Sequence, residues 1–186
     1  MSVRLLRQDQ EDGSGTILYE IETYKGLQYM RVDAGAGAVA DRMVVVVDSS
    51  LFLRLWNRKA GLDNASRWKA IPGYAEVQRR FMSGMSHPLR LAQVQIKWNF
   101  ISVLLSRLLG LLKLNLALPG KQLKFVEGER RTMWLLANGA EAFPVECPAN
   151  CAQLLHRLAG VESIPPAPLK DVMALPAAED LASHPD

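Results

Sequence analysis

Residues 125–145 read FVEGERRTMWLLANGAEAFPV, the stretch that is most informative about the fold. Its apolar beginning has strand-like character, and the run MWLLA after the arginines suits a helix. Asn138 and Gly139 are expected to end that helix, because glycine readily adopts the left-handed conformation that closes a last helical turn. Phe143-Pro144-Val145 begins another extended piece. The stretch therefore predicts a strand, a glycine-led turn, a helix and a second strand in succession.

Strand patterns also precede this stretch. Alternating apolar residues on both sides of Gly26 predict a β-hairpin across residues 16–32. The β-branched run Met43–Val47 has the length and composition of a buried strand, and Asp48-Ser49-Ser50 after it offers helix caps. A further strand is expected after Pro88. Strands and helices in this order predict an α+β fold, with a small mixed β-sheet flanked by helices.

The domain organisation follows from length and composition. A chain of 186 residues favours one domain followed by a tail, and we place that domain over residues 1–161 with the N-terminal β-hairpin as an extension. Its last amphipathic helix is expected from Ala149 to Gly160. Residues 162–186 are rich in proline and alanine, which predicts a flexible tail with at most a short helix around Lys170 to Leu175.

Charge is distributed unevenly along the chain, although the net charge is only +3. Residues 1–50 carry five basic and eight acidic side chains, residues 51–131 carry fifteen and four, and residues 132–186 carry two and seven. The basic character therefore lies in the middle of the chain. Such segregation favours a polyanionic partner, because local potential sets attraction; the alternative is a solvated surface face.

Part of this basic segment interleaves aromatic and basic side chains. In residues 63–81, Trp68 and Tyr74 lie among four cations: Arg67, Lys69, Arg79 and Arg80. Single-stranded nucleic acid is bound by such patterns, because bases stack on rings while cations follow the backbone. Amphipathic helices anchored by Trp68 and Tyr74 are at least as good an interpretation.

One long apolar run bears on membrane contact. Phe100 to Leu118 spans nineteen residues, but Arg107, Lys113 and Asn115 interrupt it. A buried or interfacial helix is therefore favoured over a membrane span.

The cysteines bear on compartment and metal binding. Cys147 and Cys151 cannot make a disulfide framework, and no cleavable signal is visible, so we expect a cytoplasmic protein, with peripheral inner-membrane contact as an option. Together with His156 they would give only three zinc ligands without CxxC spacing, which favours buried or idle thiols over a metal site.

The turn at Gly128 carries the chemistry of the chain. A strand that runs into a helix here places backbone N–H groups and the positive end of a helix dipole at one point, where phosphate binds readily. Gly128 allows close approach of the backbone, while Arg130 and Arg131 can supply charge-assisted contacts to phosphate oxygens. Glu129 is unexpected there, because a carboxylate repels phosphate unless it holds a divalent metal or acts as a general base. Alternatively, Glu129 only pairs with a neighbouring arginine on a surface helix.

The stretch that ends at Val145 resembles the signature of the ParB/sulfiredoxin superfamily. In ParB proteins a strand precedes GERR, the following helix ends in glycine, and an apolar-Pro-Val strand comes next. This resemblance covers residues 87–160. The chain looks closer still to plasmid fertility inhibition factors, through Phe52-Leu53-Arg54-Leu55-Trp56, His87-Pro88 and the run Arg131–Ala140. The resemblance implies a ParB/sulfiredoxin-like α+β fold.

The same resemblance implies a function and its residues. It implies an ATP hydrolase and metal-dependent DNase, using ATP and Mg²⁺, that acts on transferring DNA and blocks its passage through a type IV secretion system. Glu129 would hold the metal or activate water, with Arg130 and Arg131 beside it in catalysis. The phosphate-binding residues implied are Gly128, Arg131 and Thr132, with Arg54 and Arg90 as candidates for closing the pocket from the other side.

Two other functions compete with this enzyme. The basic middle and the apolar Phe100 to Leu118 run also suit a non-catalytic inhibitor that docks on the type IV coupling ATPase or on the inner membrane near the secretion channel. A ParB-like DNA-binding module ranks last, because too little chain follows the motif to build the usual helix-turn-helix.

Overall fold

We describe the protein from a computed structural model, which covers residues 3–9, 15–32, 41–56, 72–98 and 121–173. The strands in these ranges are β1 (Val3–Asp9), β2 (Gly15–Thr23), β3 (Gly26–Arg31), β4 (Arg42–Asp48), β5 (Leu89–Arg90), β6 (Ala92–Trp98), β7 (Lys121–Glu127), β8 (Ala142–Pro148) and β9 (Ala167–Pro168). The α-helices are α1 (Ser49–Trp56), α2 (Tyr74–Met82), α3 (Glu129–Ala137), α4 (Ala149–Ala159) and α5 (Leu169–Met173).

The strands form two mixed sheets. The first has the order β1-β2-β3-β5 and is antiparallel except where β3 and β5 run parallel. The second has the order β7-β6-β8-β4-β9 and is antiparallel except where β6 and β8 run parallel. The α+β prediction is confirmed, but with two sheets where one was expected, because the consecutive strands β5 and β6 pair with different partners.

Leu91 is the residue at which the chain passes from the first sheet to the second. Its backbone N–H donates to the carbonyl oxygen of Arg31 at the end of β3 (3.1 Å), and its side chain is buried. The next residue, Ala92, pairs with Val145 of β8. One buried residue therefore joins the two sheets, and the candidate site lies beside this joint.

Strand β4 forms the centre of the core. Val44, Val45, Val46 and Val47 are all buried, and α1 and α4 contact the strand. An unbroken β-branched run is typical of a strand covered on both faces, because alternation is needed only where one face meets water. The buried strand predicted over Met43–Val47 is confirmed.

Helix α1 begins as the caps after β4 predict. The Asp48 carboxylate accepts hydrogen bonds from the backbone N–H of Leu51 (2.9 Å) and from the Ser50 hydroxyl (2.7 Å), which satisfies one otherwise unpaired N–H of the first turn. Burial raises the pKa of the Asp48 carboxyl, but these hydrogen bonds and the charge of Arg54 outweigh burial, so the pKa lies below its usual value.

Aromatic rings fix α1 on the second sheet. Phe52 meets Phe143 of β8 edge to face, with ring centroids 5.2 Å apart, and Trp56 meets Phe125 of β7 in the same way at 4.8 Å. Edge-to-face geometry is the favoured arrangement of two aromatic quadrupoles. The apolar face of α1 is therefore turned toward the sheet.

Helices α2 and α3 pack against each other. Phe81 of α2 stacks on Trp134 of α3, with ring centroids 4.3 Å apart and planes inclined by 22°. The Asn138 side-chain amide donates to the Tyr74 hydroxyl (3.1 Å). Gly139 has a φ of 77°, so the left-handed end predicted for this helix is confirmed.

Several expectations need correction or fall outside the described residues. The hairpin predicted over residues 16–32 is confirmed as β2 and β3, but β1 was not predicted. Leu169 and Val172 are buried, so residues 162–173 pack on the domain instead of beginning a flexible tail. The Phe100 to Leu118 run and most of the aromatic and basic segment before Pro72 lie outside the described residues.

Replacing Leu169 with alanine tests this packing of the chain after Val161. We expect a loss of about 2 kcal/mol in the free energy of unfolding, because the Leu169 side chain is fully buried and its removal leaves a cavity. Denaturant titration measures the change, and Lys170→Ala, at an exposed neighbouring position, serves as the control. Equal stability of both variants would show that this segment does not contribute to the fold.

Candidate phosphate site

A cleft of about 590 Å³ opens where α2, β5 and the start of α3 meet. We call it the Gly128 cleft. Four arginines line it: Arg80, Arg90, Arg130 and Arg131. Three glutamates also line it: Glu76, Glu127 and Glu129. The formal charge of the lining is therefore four positive minus three negative, or +1.

Gly128 shapes the floor of the cleft. It has a φ of 87° at the position before α3, a left-handed conformation that glycine adopts without strain. A Cβ atom at Gly128 would lie 2.7 Å from the Cα and 2.8 Å from the Cβ of Ala92. The start of β6 thus packs directly against this turn, and only a residue without a side chain fits between them.

Arg131 is held in place by two hydrogen bonds. Its Nη1 donates to the backbone carbonyl of Arg90 (2.7 Å), and its Nη2 donates to a carboxylate oxygen of Glu127 (2.6 Å). The Arg131 side chain is only 13% exposed, whereas that of Glu127 is 57% exposed. Arg131 therefore ties the first turn of α3 to the end of β7 and to the joint between the sheets.

Several charges act on the Arg131 guanidinium at once. Burial lowers its pKa, Glu127 raises it through its charge and hydrogen bond, and the nearby cations Arg90 and Arg80 lower it further. The net direction is downward, which reflects a cation surrounded by other cations and shielded from water. Any anion in the cleft would relieve this repulsion.

The opposite wall of the cleft comes from α2. Gly73, which precedes α2 with a φ of 86°, lies against Arg130, since a Cβ at Gly73 would be 2.9 Å from the Arg130 Nη1. Arg80 of α2 pairs with Glu76 one turn earlier (2.6 Å). Both of these side chains are more than half exposed, so this pair adds little to stability.

The structure brings together most of the residues that the sequence singled out. Gly128, Glu129, Arg130, Arg131 and Arg90 all line the cleft. Sequence analysis did not assign four other lining residues to this site: Gly73, Glu76, Arg80 and Glu127. Of these, Arg80 was named only as part of the aromatic and basic pattern.

Thr132 and Arg54 take other positions. Thr132 is 1% exposed in the first turns of α3, and its hydroxyl has no hydrogen-bond partner among the described residues. Arg54 lies on the exposed face of α1, where its charge acts on Asp48. Neither residue belongs to the lining of the cleft.

The described residues contain no group of three or more His, Cys, Asp or Glu side chains arranged to hold a metal ion. This result includes Cys147, Cys151 and His156. Cys147 is buried, and burial raises the pKa of its thiol to about 12, which keeps it protonated and unreactive.

Within the ranges that the structure describes, no helix is both long and apolar enough to cross a membrane.

Comparisons with known proteins identify the family. No curated protein sequence gives a significant match. A crystal structure of the oncogenic suppression activity protein, a plasmid fertility inhibition factor solved as a gold(I) cyanide derivative, has a similar fold with a TM-score of 0.70. The likeness covers 94% of this chain and 82% of that chain at 17% sequence identity. The profile of one sequence family matches residues 44–160, which is more than half of the chain, and the protein therefore belongs to the plasmid fertility inhibition factors.

Proposed function

We propose that this fertility inhibition factor binds the phosphates of nucleotides and of DNA in the Gly128 cleft. It hydrolyses ATP and cleaves DNA there, and so blocks DNA transfer through a type IV secretion system. The observation that carries the proposal is the convergence of four arginines on the start of α3. Backbone N–H groups and the helix dipole add further positive potential at that point. ATP hydrolysis and DNA cleavage both require attack on a phosphorus atom whose developing charge is neutralised.

Glu129 is the residue to which we assign the chemistry. It is half-buried at the first position of α3 and lines the cleft beside Arg130. A carboxylate there can accept a proton from an attacking water or ligate Mg²⁺. Mg²⁺ is commonly held by one or two carboxylates together with substrate phosphates and water, so Glu129, a bound polyphosphate and water would together supply its ligands. Bound Mg²⁺ would supply charge neutralisation of the phosphate oxygens.

A second candidate is a non-catalytic inhibitor that recognises a partner such as the type IV coupling ATPase. One observation favours it: both terminal nitrogens of Arg131 already have protein partners. On this alternative the charged lining of the cleft is a docking surface. Measurements of phosphate binding and of hydrolysis distinguish the enzyme from the non-catalytic inhibitor.

Arg130→Ala tests the phosphate site with little risk to the fold, because Arg130 is exposed. We expect about tenfold weaker binding of a hydrolysis-resistant ATP analogue, since a charge-assisted contact to phosphate is lost. Titration of a fluorescent analogue measures the affinity. Arg157→Ala, which removes an exposed arginine of α4 outside the cleft, is the matched control and should bind as the wild type does. Equal affinity of both variants would argue against phosphate binding in the cleft.

A further inference from the structure

The contact between Glu127 and Arg131 suggests how the cleft selects its ligand. The two partners differ in their environment: Arg131 is largely buried and Glu127 is largely exposed. The Arg90 carbonyl holds Arg131 independently of Glu127. Glu127 can therefore leave while the guanidinium stays in place.

We propose that Glu127 is an internal counter-ion, which occupies the anion position on Arg131 until a polyphosphate ligand displaces it. The inference rests on the proposed function, because it concerns the ligand of the same cleft. Glu127, which directly precedes the GERR sequence, would thereby help to select the ligand of the cleft.

The selectivity follows from the charges of the lining. A ligand that displaces Glu127 must replace its hydrogen bond to Arg131 and remain beside Glu76 and Glu129. A single phosphate ion gains little binding free energy by this exchange, because it makes few contacts with the arginines. A polyphosphate chain brings several negative charges and can contact more than one arginine at once, which multiplies charge-assisted hydrogen bonds. Every anion that binds must therefore meet the same cost of displacing Glu127, and a polyphosphate chain meets it through more contacts than a single phosphate ion can make.

The surrounding cations make the exchange feasible. Arg80 and Arg90 lie close enough for their charges to act on Arg131, so the Glu127 carboxylate offsets repulsion within the cluster. Because that carboxylate is more than half exposed, it returns to water at small cost when it leaves. Displacement of Glu127 by a more highly charged ligand leaves the arginine cluster better neutralised than before.

The test measures binding of inorganic tripolyphosphate by calorimetry in metal-free buffer, and orthophosphate should bind more weakly to the wild type. Glu127→Gln keeps an acceptor for Arg131 and removes the negative charge. We expect roughly three- to tenfold tighter binding of tripolyphosphate by this variant than by the wild type. Glu127→Ala should show the same gain, and Glu162→Gln, at an exposed position outside the cleft, should bind as the wild type does. The double variant with Glu127→Gln and Arg130→Ala should bind tripolyphosphate no more tightly than the wild type.

The outcomes separate this inference from the proposed function. Wild-type binding that Arg130→Ala weakens, with no gain in either Glu127 variant, overturns the counter-ion and leaves the phosphate site standing. If the double variant binds more tightly than the wild type, the anion lies outside the Gly128 cleft, and the counter-ion proposal is also overturned. Absence of binding in the wild type and in both Glu127 variants overturns the phosphate site and the counter-ion together. Binding that appears only in the Glu127 variants shows that polyphosphate does not displace Glu127 in the wild type, and it also overturns the inference.

Discussion

Replacing Glu129 with glutamine is expected to lower the rates of ATP and DNA hydrolysis by about 10²- to 10⁴-fold, the usual contribution of a positioned acid or base. Glutamine has nearly the same shape but cannot take a proton and is a poorer metal ligand. Glu129 is only half-buried, so the substitution should leave the fold unchanged. Mg²⁺-dependent release of phosphate from ATP and cleavage of labelled single- and double-stranded DNA measure the effect.

The controls for this experiment must exclude a contaminating nuclease. Wild type, Glu129→Gln and Glu162→Gln are purified in parallel, and only Glu129→Gln should lose both activities. EDTA should abolish hydrolysis by the wild type if a divalent metal takes part. Undiminished hydrolysis by Glu129→Gln would remove this residue from the mechanism, and absence of hydrolysis by the wild type would favour the non-catalytic inhibitor.

Replacing Gly128 with alanine is expected to lower the free energy of unfolding by about 3 to 4 kcal/mol. Two effects add: a non-glycine residue is strained at a φ of 87°, and the new Cβ would lie 2.7 Å from the backbone Cα of Ala92. The clash cannot be relieved by a side-chain rotation, because it involves the strand itself. Denaturant titration measures stability, and titration of the ATP analogue should show weakened binding.

Gly26→Ala separates strain from collision. Gly26 has a φ of 89°, but a Cβ there would meet no atom within 4 Å. We expect this variant to lose only about 1 kcal/mol, the cost of the left-handed conformation alone. If the two alanine variants are equally destabilised, Gly128 is required for its backbone conformation and not for its approach to Ala92.

Local signals predicted the central part of the site well. The strand, the turn at Gly128, α3 and its left-handed end at Gly139 follow from neighbouring residues, because caps and glycine conformations act over a few positions. These elements place Glu129, Arg130 and Arg131 at one point by themselves. For that reason the motif could be read without knowledge of the rest of the fold.

Long-range packing was beyond the reach of the sequence. Gly73 and Arg80 enter the cleft from α2, and no spacing or alternation in the chain indicates that α2 packs on α3. Arg54 was assigned to the pocket by family resemblance, but α1 is fixed by its aromatic contacts with β7 and β8. The buried position of Thr132 could have been anticipated, since it shares a helical face with the buried Leu135 one turn later.

Two segments, β1 and residues 162–173, show that local sequence pattern and composition can fail to predict ordered structure. Strand β1 reads VRLLRQD, which does not alternate, and it is recognisable only through its pairing with β2. The sequence predicts a flexible tail over residues 162–186 because that stretch is rich in proline and alanine. The pairing of β9 with β4 and the burial of Leu169 and Val172 hold residues 162–173 on the domain.

The position of α5 has a consequence for the order of folding. This helix contacts β2 of the first sheet and β4 of the second, so it bridges sheets built from distant parts of the chain. During synthesis it emerges from the ribosome after all the strands that it joins, and contacts between distant segments form slowly because loop closure costs entropy. The contacts of α5 with the two sheets can therefore form only after every strand has been synthesised, and we expect them among the last native contacts to form.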